Sequence, residues 1–356
     1  MNPILITSTD ESTGKTAIAL ALALIARDRG GAVGYMKPKG TRLQSAVGKT
    51  LDEDPLLARE LLDLDADIAD LEPVVYSRTF VEQTMRGRES PDELHAQVRE
   101  SYEGLAEDTD VMVLEGGGSF AAGGVADLTD ADVAELLDAR AVLVATYSDP
   151  TDVDAVLSAA RHLGDRLAGV LFNGVADADH DALVEDAVPY LEGRGIPVFG
   201  VLPRVQELAG VTVADLADEL GAEVLTSDAP TDAFVERFTV GAMSAEDALA
   251  QFRRTRDAAM IAGGDRPEIA TAALDAPGIE ALLLTGGYRP PPAVLGRAED
   301  AGVPVLLTRA DTITTVDRAE DVVHSGRARN AATVERMRTL LTSSADVDTV
   351  LDLTEV

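Results

Sequence analysis

The chain of 356 residues contains no cysteine, which excludes disulfides, thiol catalysis and cysteine-ligated zinc or iron–sulfur centres. Histidine is scarce. His95, His162, His180 and His324 are the full set, and no two lie close in sequence, so a histidine metal cluster is not expected. Long hydrophobic runs are missing too: the longest, residues 17–26, is about half of what a bilayer requires. The N-terminus shows no basic leader or cleavage site, and the expected compartment is the cytosol. Lysine is confined to Lys15, Lys37, Lys39 and Lys49, all in the first fifty residues, and every later basic residue is arginine. A chain that avoids lysine elsewhere keeps it where a compact ammonium is needed.

Acid is what the chain has in abundance. A net charge of -33 repels nucleic acid and anionic membranes, so neither is expected as a partner. The acids are spread along the chain rather than gathered in a tail. That favours a surface adapted to high salt (a halophilic pattern) over a single acidic binding face. A hydrophobic content of 46% is too high for disorder, and the length suits two domains.

Short β-rich apolar runs alternate with helical patterns, the pattern of an α/β fold with a mostly parallel sheet and helices on both faces. Strands are expected at residues 4–9, 32–37, 111–115, 141–146, 169–173 and 198–202. Helices are expected at 15–29, 55–64, 91–105, 130–139, 151–162 and 181–194. The rhythm changes after Pro203, which divides the chain into residues 1–205 and a smaller α/β domain at 206–356. There a short helix at 213–220 precedes strands at 258–262, 281–285 and 305–308, alternating with helices at 244–253, 267–274 and 293–301, and a C-terminal helix at 331–341.

Ser8-Thr9-Asp10-Glu11-Ser12-Thr13-Gly14-Lys15-Thr16 lies between the first strand and a long apolar helix, the context that a phosphate-binding loop requires. Gly14 allows close backbone approach to an anion, and the amide groups at the helix start hold phosphate oxygens. Lys15 reaches the terminal phosphates and the Thr16 hydroxyl ligates magnesium. The usual pattern has glycine where this chain has Thr9. Asp10, Ser12, Thr13, Gly14, Lys15 and Thr16 are therefore the candidate residues for binding ATP or ADP.

This variant loop resembles that of dethiobiotin synthetase and its relatives, with Ser8 in place of a glycine. Four more positions follow in the same order: Lys37-Pro38, Asp54, Glu115 in Glu115-Gly116-Gly117-Gly118, and Asn173. The resemblance implies that Lys37 lies at the substrate site. It also makes Asp54 and Glu115 ligands of Mg2+ together with Thr16, and Asn173 the reader of adenine. Each position also has an ordinary structural role: Glu115 as a strand-end residue, Asp54 as a helix cap before Pro55, Asn173-Gly174 as a turn and Lys37 as an exposed lysine.

In the second block two strands end in Gly-Gly, at Gly263-Gly264-Asp265-Arg266 and Gly286-Gly287-Tyr288-Arg289. This block resembles the DRTGG domain, although Pro267 interrupts the literal motif. Gly263, Gly264, Arg266, Gly286 and Gly287 form a candidate second anion site, or tight strand-to-helix turns. Together the two blocks resemble the N-terminal region of long phosphotransacetylases, without their acyltransferase domain, so acetyl transfer is not expected. The resemblance implies a nucleotide-binding regulatory or partner-binding protein of acyl-CoA and acetate metabolism. Its implied partners are an acyltransferase or acyl-CoA synthetase subunit and further copies of itself, as a homo-oligomer. The alternative is an ATP-dependent ligase of the dethiobiotin synthetase or cobyrinic acid a,c-diamide synthase type, using Lys15 and Lys37 as catalytic residues.

Overall fold

The computed structural model describes residues 2–41, 43–46, 49–326 and 331–354. The chain divides into two compact units, Met1–Val205 with Ala328–Val356, and Gln206–Arg327.

The first unit is built on six strands: β1 (Ile4–Ser8), β2 (Val33–Met36), β3 (Val111–Glu115), β4 (Arg140–Ala145), β5 (Leu167–Val175) and β6 (Val198–Pro203). Their order is β6-β5-β4-β1-β3-β2, and every neighbouring pair is parallel. Parallel strands covered on both faces read as continuous apolar runs, and β1 is buried along its whole length. With β3 on one side of β1 and β4 on the other, the winding direction changes beside β1. In such sheets ligands bind outside the carboxyl ends of the strands at that point.

Helix α1 (Lys15–Asp28) follows β1, and its residues from Lys15 to Ala26 are all buried. Its alanines, leucines and isoleucines leave no polar face, which is how a helix covered on all sides reads. One cover is helix Ala331–Ser344, whose Val334, Met337 and Leu341 are buried against the first unit. The C-terminal helix was expected within the second block. Its apolar face instead completes the burial of α1, so the first unit takes in both ends of the chain.

The second unit holds a five-stranded sheet of β7 (Glu223–Val224), β8 (Arg237–Val240), β9 (Ala258–Gly263), β10 (Ile279–Thr285) and β11 (Val305–Leu307), in the order β7-β11-β10-β9-β8. Only β7 runs antiparallel to its neighbour. Helices Ala245–Phe252, Pro267–Leu274 and Pro292–Ala301 contribute Phe252, Ile269, Val294 and Ala298 to a core with Met260, Leu282 and Leu284 of the sheet. Leu216 and Leu220 of helix Val213–Leu220 join Ala319 and Val323 of helix Thr312–Gly326 in a second core with Ile261, Leu283 and Leu306. Among the described residues no helix is long and apolar enough to cross a membrane.

Candidate functional site

The site begins where β1 gives way to α1. Gly14 is the N-cap of α1, with φ +91°, a left-handed conformation that side chains with a Cβ resist. No side chain caps this helix, and its first turn holds no acid. By contrast, Asp52, Ser77, Thr129, Thr212 and Ser244 cap the helices that follow them. The N–H groups and positive dipole end of α1 therefore favour an anion. Thr13 Oγ1 is buried with no hydrogen-bond partner among the described residues. Asn173, near the end of β5, donates from Nδ2 to the Thr13 carbonyl at 2.8 Å, which brings it against the loop. Asp10 stays at the exposed rim, where Oδ1 accepts the Glu11 N–H at 2.8 Å.

Lys15 is buried, and its ammonium bridges the end of β1 to the glycine loop after β3. It donates to Ser8 Oγ at 2.7 Å and to the Gly118 carbonyl at 2.6 Å. The serine that replaces a glycine in the loop pattern is thus a direct partner of the loop's lysine.

Beside it lies a buried cluster of charge. Glu115 ends β3, accepting the Thr16 hydroxyl on Oε1 at 2.7 Å and the Tyr35 hydroxyl on Oε2 at 2.7 Å. The Lys37 ammonium is 2.7 Å from Asp52 Oδ2 and 3.6 Å from Glu115 Oε1, and is ion-paired with Asp54. Burial raises the Glu115 pKa to about 7 against the pull of Lys37. Burial and the Asp54 charge raise that of Asp52. For Lys37 burial favours the neutral amine, but Asp54, Glu115 and Asp52 together outweigh it and hold the pKa above the ordinary value. Burial, then the Glu115 charge, raises the Tyr35 phenol.

The expected Thr16, Lys37, Asp54 and Glu115 are therefore assembled in one place. Sequence reasoning missed Tyr35 and Asp52, which complete the cluster, and the adjoining pair of Lys39 and Asp130. Lys39 Nζ meets Asp130 Oδ1 at 2.5 Å, and Thr7 Oγ1 donates to Asp130 Oδ2 at 2.5 Å, all three residues fully buried or nearly so. This pair shapes the glycine loop after Glu115: a Cβ on Gly116 would strike the Asp130 carboxylate, and one on Gly117 the Lys39 carbonyl. The confinement of lysine to the first fifty residues was the available signal, since Lys15, Lys37 and Lys39 are all buried and engaged.

The donor chemistry of the cluster fits a magnesium ion, which prefers hard oxygen ligands. Asp54 and Glu115 supply carboxylates, and Thr16, by giving its proton to Glu115, keeps oxygen lone pairs for a cation. Among the described residues no three acidic or histidine side chains form a ready-made ligand group. The ammonium of Lys37 stands among these carboxylates instead.

The residues of the second candidate anion site are engaged within the protein. Gly264 N–H bonds to the Thr285 carbonyl, Gly286 N–H to Ala310 and Gly287 N–H to Thr308, so these amides serve the backbone. The Gly264 Cα face abuts the Tyr288 carbonyl. Arg266 donates to the carbonyls of Gly241 at 2.6 Å and Met243 at 2.7 Å, which fastens the loop after β8. Gly263, Gly264, Gly286 and Gly287 make tight turns at strand ends.

A parallel sheet with a phosphate-type loop at its central strand defines a P-loop NTPase fold. Residues 2–212 match the family model AAA_26, an AAA domain, and residues 215–322 match the DRTGG domain. The chain belongs to the AAA_26 family, with a DRTGG domain following. It is 27% identical to the phosphate acetyltransferase of Haemophilus influenzae over 317 residues, covering 80% of this chain and 43% of that protein. It is 27% identical to that of Pseudomonas putida over 338 residues, covering 89% and 47%. The ATP-dependent dethiobiotin synthetase of Methanococcus vannielii is 25% identical over 202 residues, covering 56% of this chain and 92% of the synthetase. The chain thus spans a little under half the length of the acetyltransferases it matches.

Proposed function

We propose that the first unit binds ATP or ADP with Mg2+, and that the chain is a nucleotide-responsive regulatory or partner-binding protein of acyl-CoA and acetate metabolism. The observation that carries this reading is the uncapped start of α1 behind a left-handed Gly14, with Lys15 alongside and Thr16 bonded to Glu115. Backbone N–H groups of residues 12–16 hold phosphate oxygens, and Lys15 exchanges its Ser8 and Gly118 partners for the terminal phosphates. Thr16, Asp54 and Glu115 hold the cation. Bound Mg2+ neutralises phosphate charge. Asn173, beside the loop, faces the base. The regulatory part of the proposal is supported by extent: the acetyltransferases match 80–89% of this chain, the dethiobiotin synthetase only 56%. An acyltransferase or acyl-CoA synthetase is the proposed partner, the assembly a homo-oligomer and the location the cytoplasm. Calorimetry with ATP and ADP, with and without Mg2+ at high salt, tests it. Absence of binding by either nucleotide rejects it.

A second reading is favoured by one observation, the burial of Lys37 among three carboxylates. In a ligase that activates a carboxylate as an acyl phosphate, Lys37 stabilises charge on the transferred phosphoryl group. Carboxylate-dependent phosphate release from ATP, lost in Lys37→Ala, selects this reading. Nucleotide binding without such release selects the first.

A further inference from the structure

Lys37 and Lys39 lie two residues apart in sequence, yet their ion pairs are of different kinds. Lys39 meets Asp130, whose second oxygen accepts the Thr7 hydroxyl, so one ammonium faces one carboxylate that is already partnered. Lys37 faces three carboxylates, Asp52, Asp54 and Glu115, with its side chain 2% exposed. Two of those three, Asp54 and Glu115, are the cation ligands of the proposal above. An ammonium and a divalent cation drawn to the same oxygens compete, because like charges at contact distance repel strongly in a buried site. Asp52, capping helix Glu53–Leu62, accepts the Asp54 N–H as well as Lys37, and it is not needed by the cation. The backbone at Lys37 is anchored by its N–H to the Leu71 carbonyl at 2.7 Å, so only the side chain has to move.

We infer that Lys37 is an internal counter-ion that a divalent cation displaces from Asp54 and Glu115, swinging about Asp52, so that its ammonium turns to phosphate only once the cation is bound. This rests on the cation reading of Thr16, Asp54 and Glu115. It makes the order of events intrinsic to the site: cation first, lysine second. The carboxylates keep a positive partner throughout, which suits a cluster this deeply buried.

The presence of just four lysines makes the test direct. In the full chain labelled with 15N-lysine, the side-chain amine signals of Lys15, Lys37 and Lys39 are followed by NMR as Mg2+ is added, first alone and then with ADP. The Lys37 signal is expected to shift or broaden as Mg2+ saturates, while that of Lys39 stays in place as the internal reference. In parallel, Lys37→Met is expected to bind Mn2+ about tenfold tighter than the unmodified chain or better, the competing charge having gone. A Lys37 signal unchanged by saturating Mg2+ with and without ADP overturns the inference, as does a folded Lys37→Met that binds Mn2+ no tighter. If the variant fails to fold, the NMR titration of the unmodified chain decides alone. Failure of the nucleotide reading shows separately, as a Lys15 signal that ADP does not move.

Discussion

The side-chain amide of Asn173 occupies the space beside Gly14: a Cβ on Gly14 would lie 2.5 Å from Asn173 Nδ2. The end of β5 and the start of α1 are thereby fitted to each other through a residue that has no side chain. Gly14→Ala is expected to destabilise the first unit by about 1–3 kcal/mol, from the positive φ and from this crowding. In an Asn173→Ala background, which already lacks the bond to the Thr13 carbonyl, Gly14→Ala should cost less by the crowding part alone, since φ is unchanged. Urea unfolding in both backgrounds measures the two parts. No loss in the Asn173→Ala background would mean that the backbone conformation costs nothing.

The Lys39–Asp130 pair makes a second prediction. Removing one member leaves the other charged and buried, which costs about 3–5 kcal/mol. Lys39→Met should therefore be strongly destabilising, and so should Asp130→Leu. The double variant should be less destabilised than either, because no unpaired charge remains. Additive losses in urea denaturation would contradict the pairing.

Glu72 gives the pH dependence. It is buried, its Oε2 accepts the Asp52 N–H at 3.2 Å, and Oε1 has no hydrogen-bond partner among the described residues. Burial, reinforced by the Asp52 charge, raises its pKa from 4.5 to about 7. The folded state therefore binds more protons than the unfolded state between those values. Stability from protonated Glu72 is full below the unfolded value and is lost as the pH rises through the folded one. The unmodified chain should be more resistant to urea at about pH 5.5 than at about pH 8, and Glu72→Gln, which mimics the protonated acid, should reduce that slope. A slope left unchanged by the substitution would remove Glu72 from the account.

Much of the fold was legible because local signals agreed. The apolar run with Glu115 at its end gave β3 its observed limits, and Pro267 at the first helical turn fixed the start of helix Pro267–Leu274. The edge strand β8 was missed, since Arg237-Phe238-Thr239-Val240 is only four residues long and partly exposed. Helix Ala331–Ser344 was recognised but assigned to its sequence neighbours; its place against α1 depends on a tertiary match that no local pattern encodes. At the site, Gly14, Lys15 and Thr16 were readable from one contiguous loop. Asp52, Tyr35 and Asp130 were not, because they meet the site only through convergence from separate elements. The surroundings of Arg266 were hidden for the same reason: its charge is visible in the sequence, and its two carbonyl partners are not.

Lys15 tests the central claim most directly. Calorimetric titration of Mg2+ with ADP or ATP into the unmodified chain and into Lys15→Met, at high salt, should show one saturable site in the first. In the second, affinity should be weakened about tenfold or more, with the fold retained by circular dichroism. Equal affinity in the two proteins, or no binding in either, would contradict a phosphate site at the start of α1.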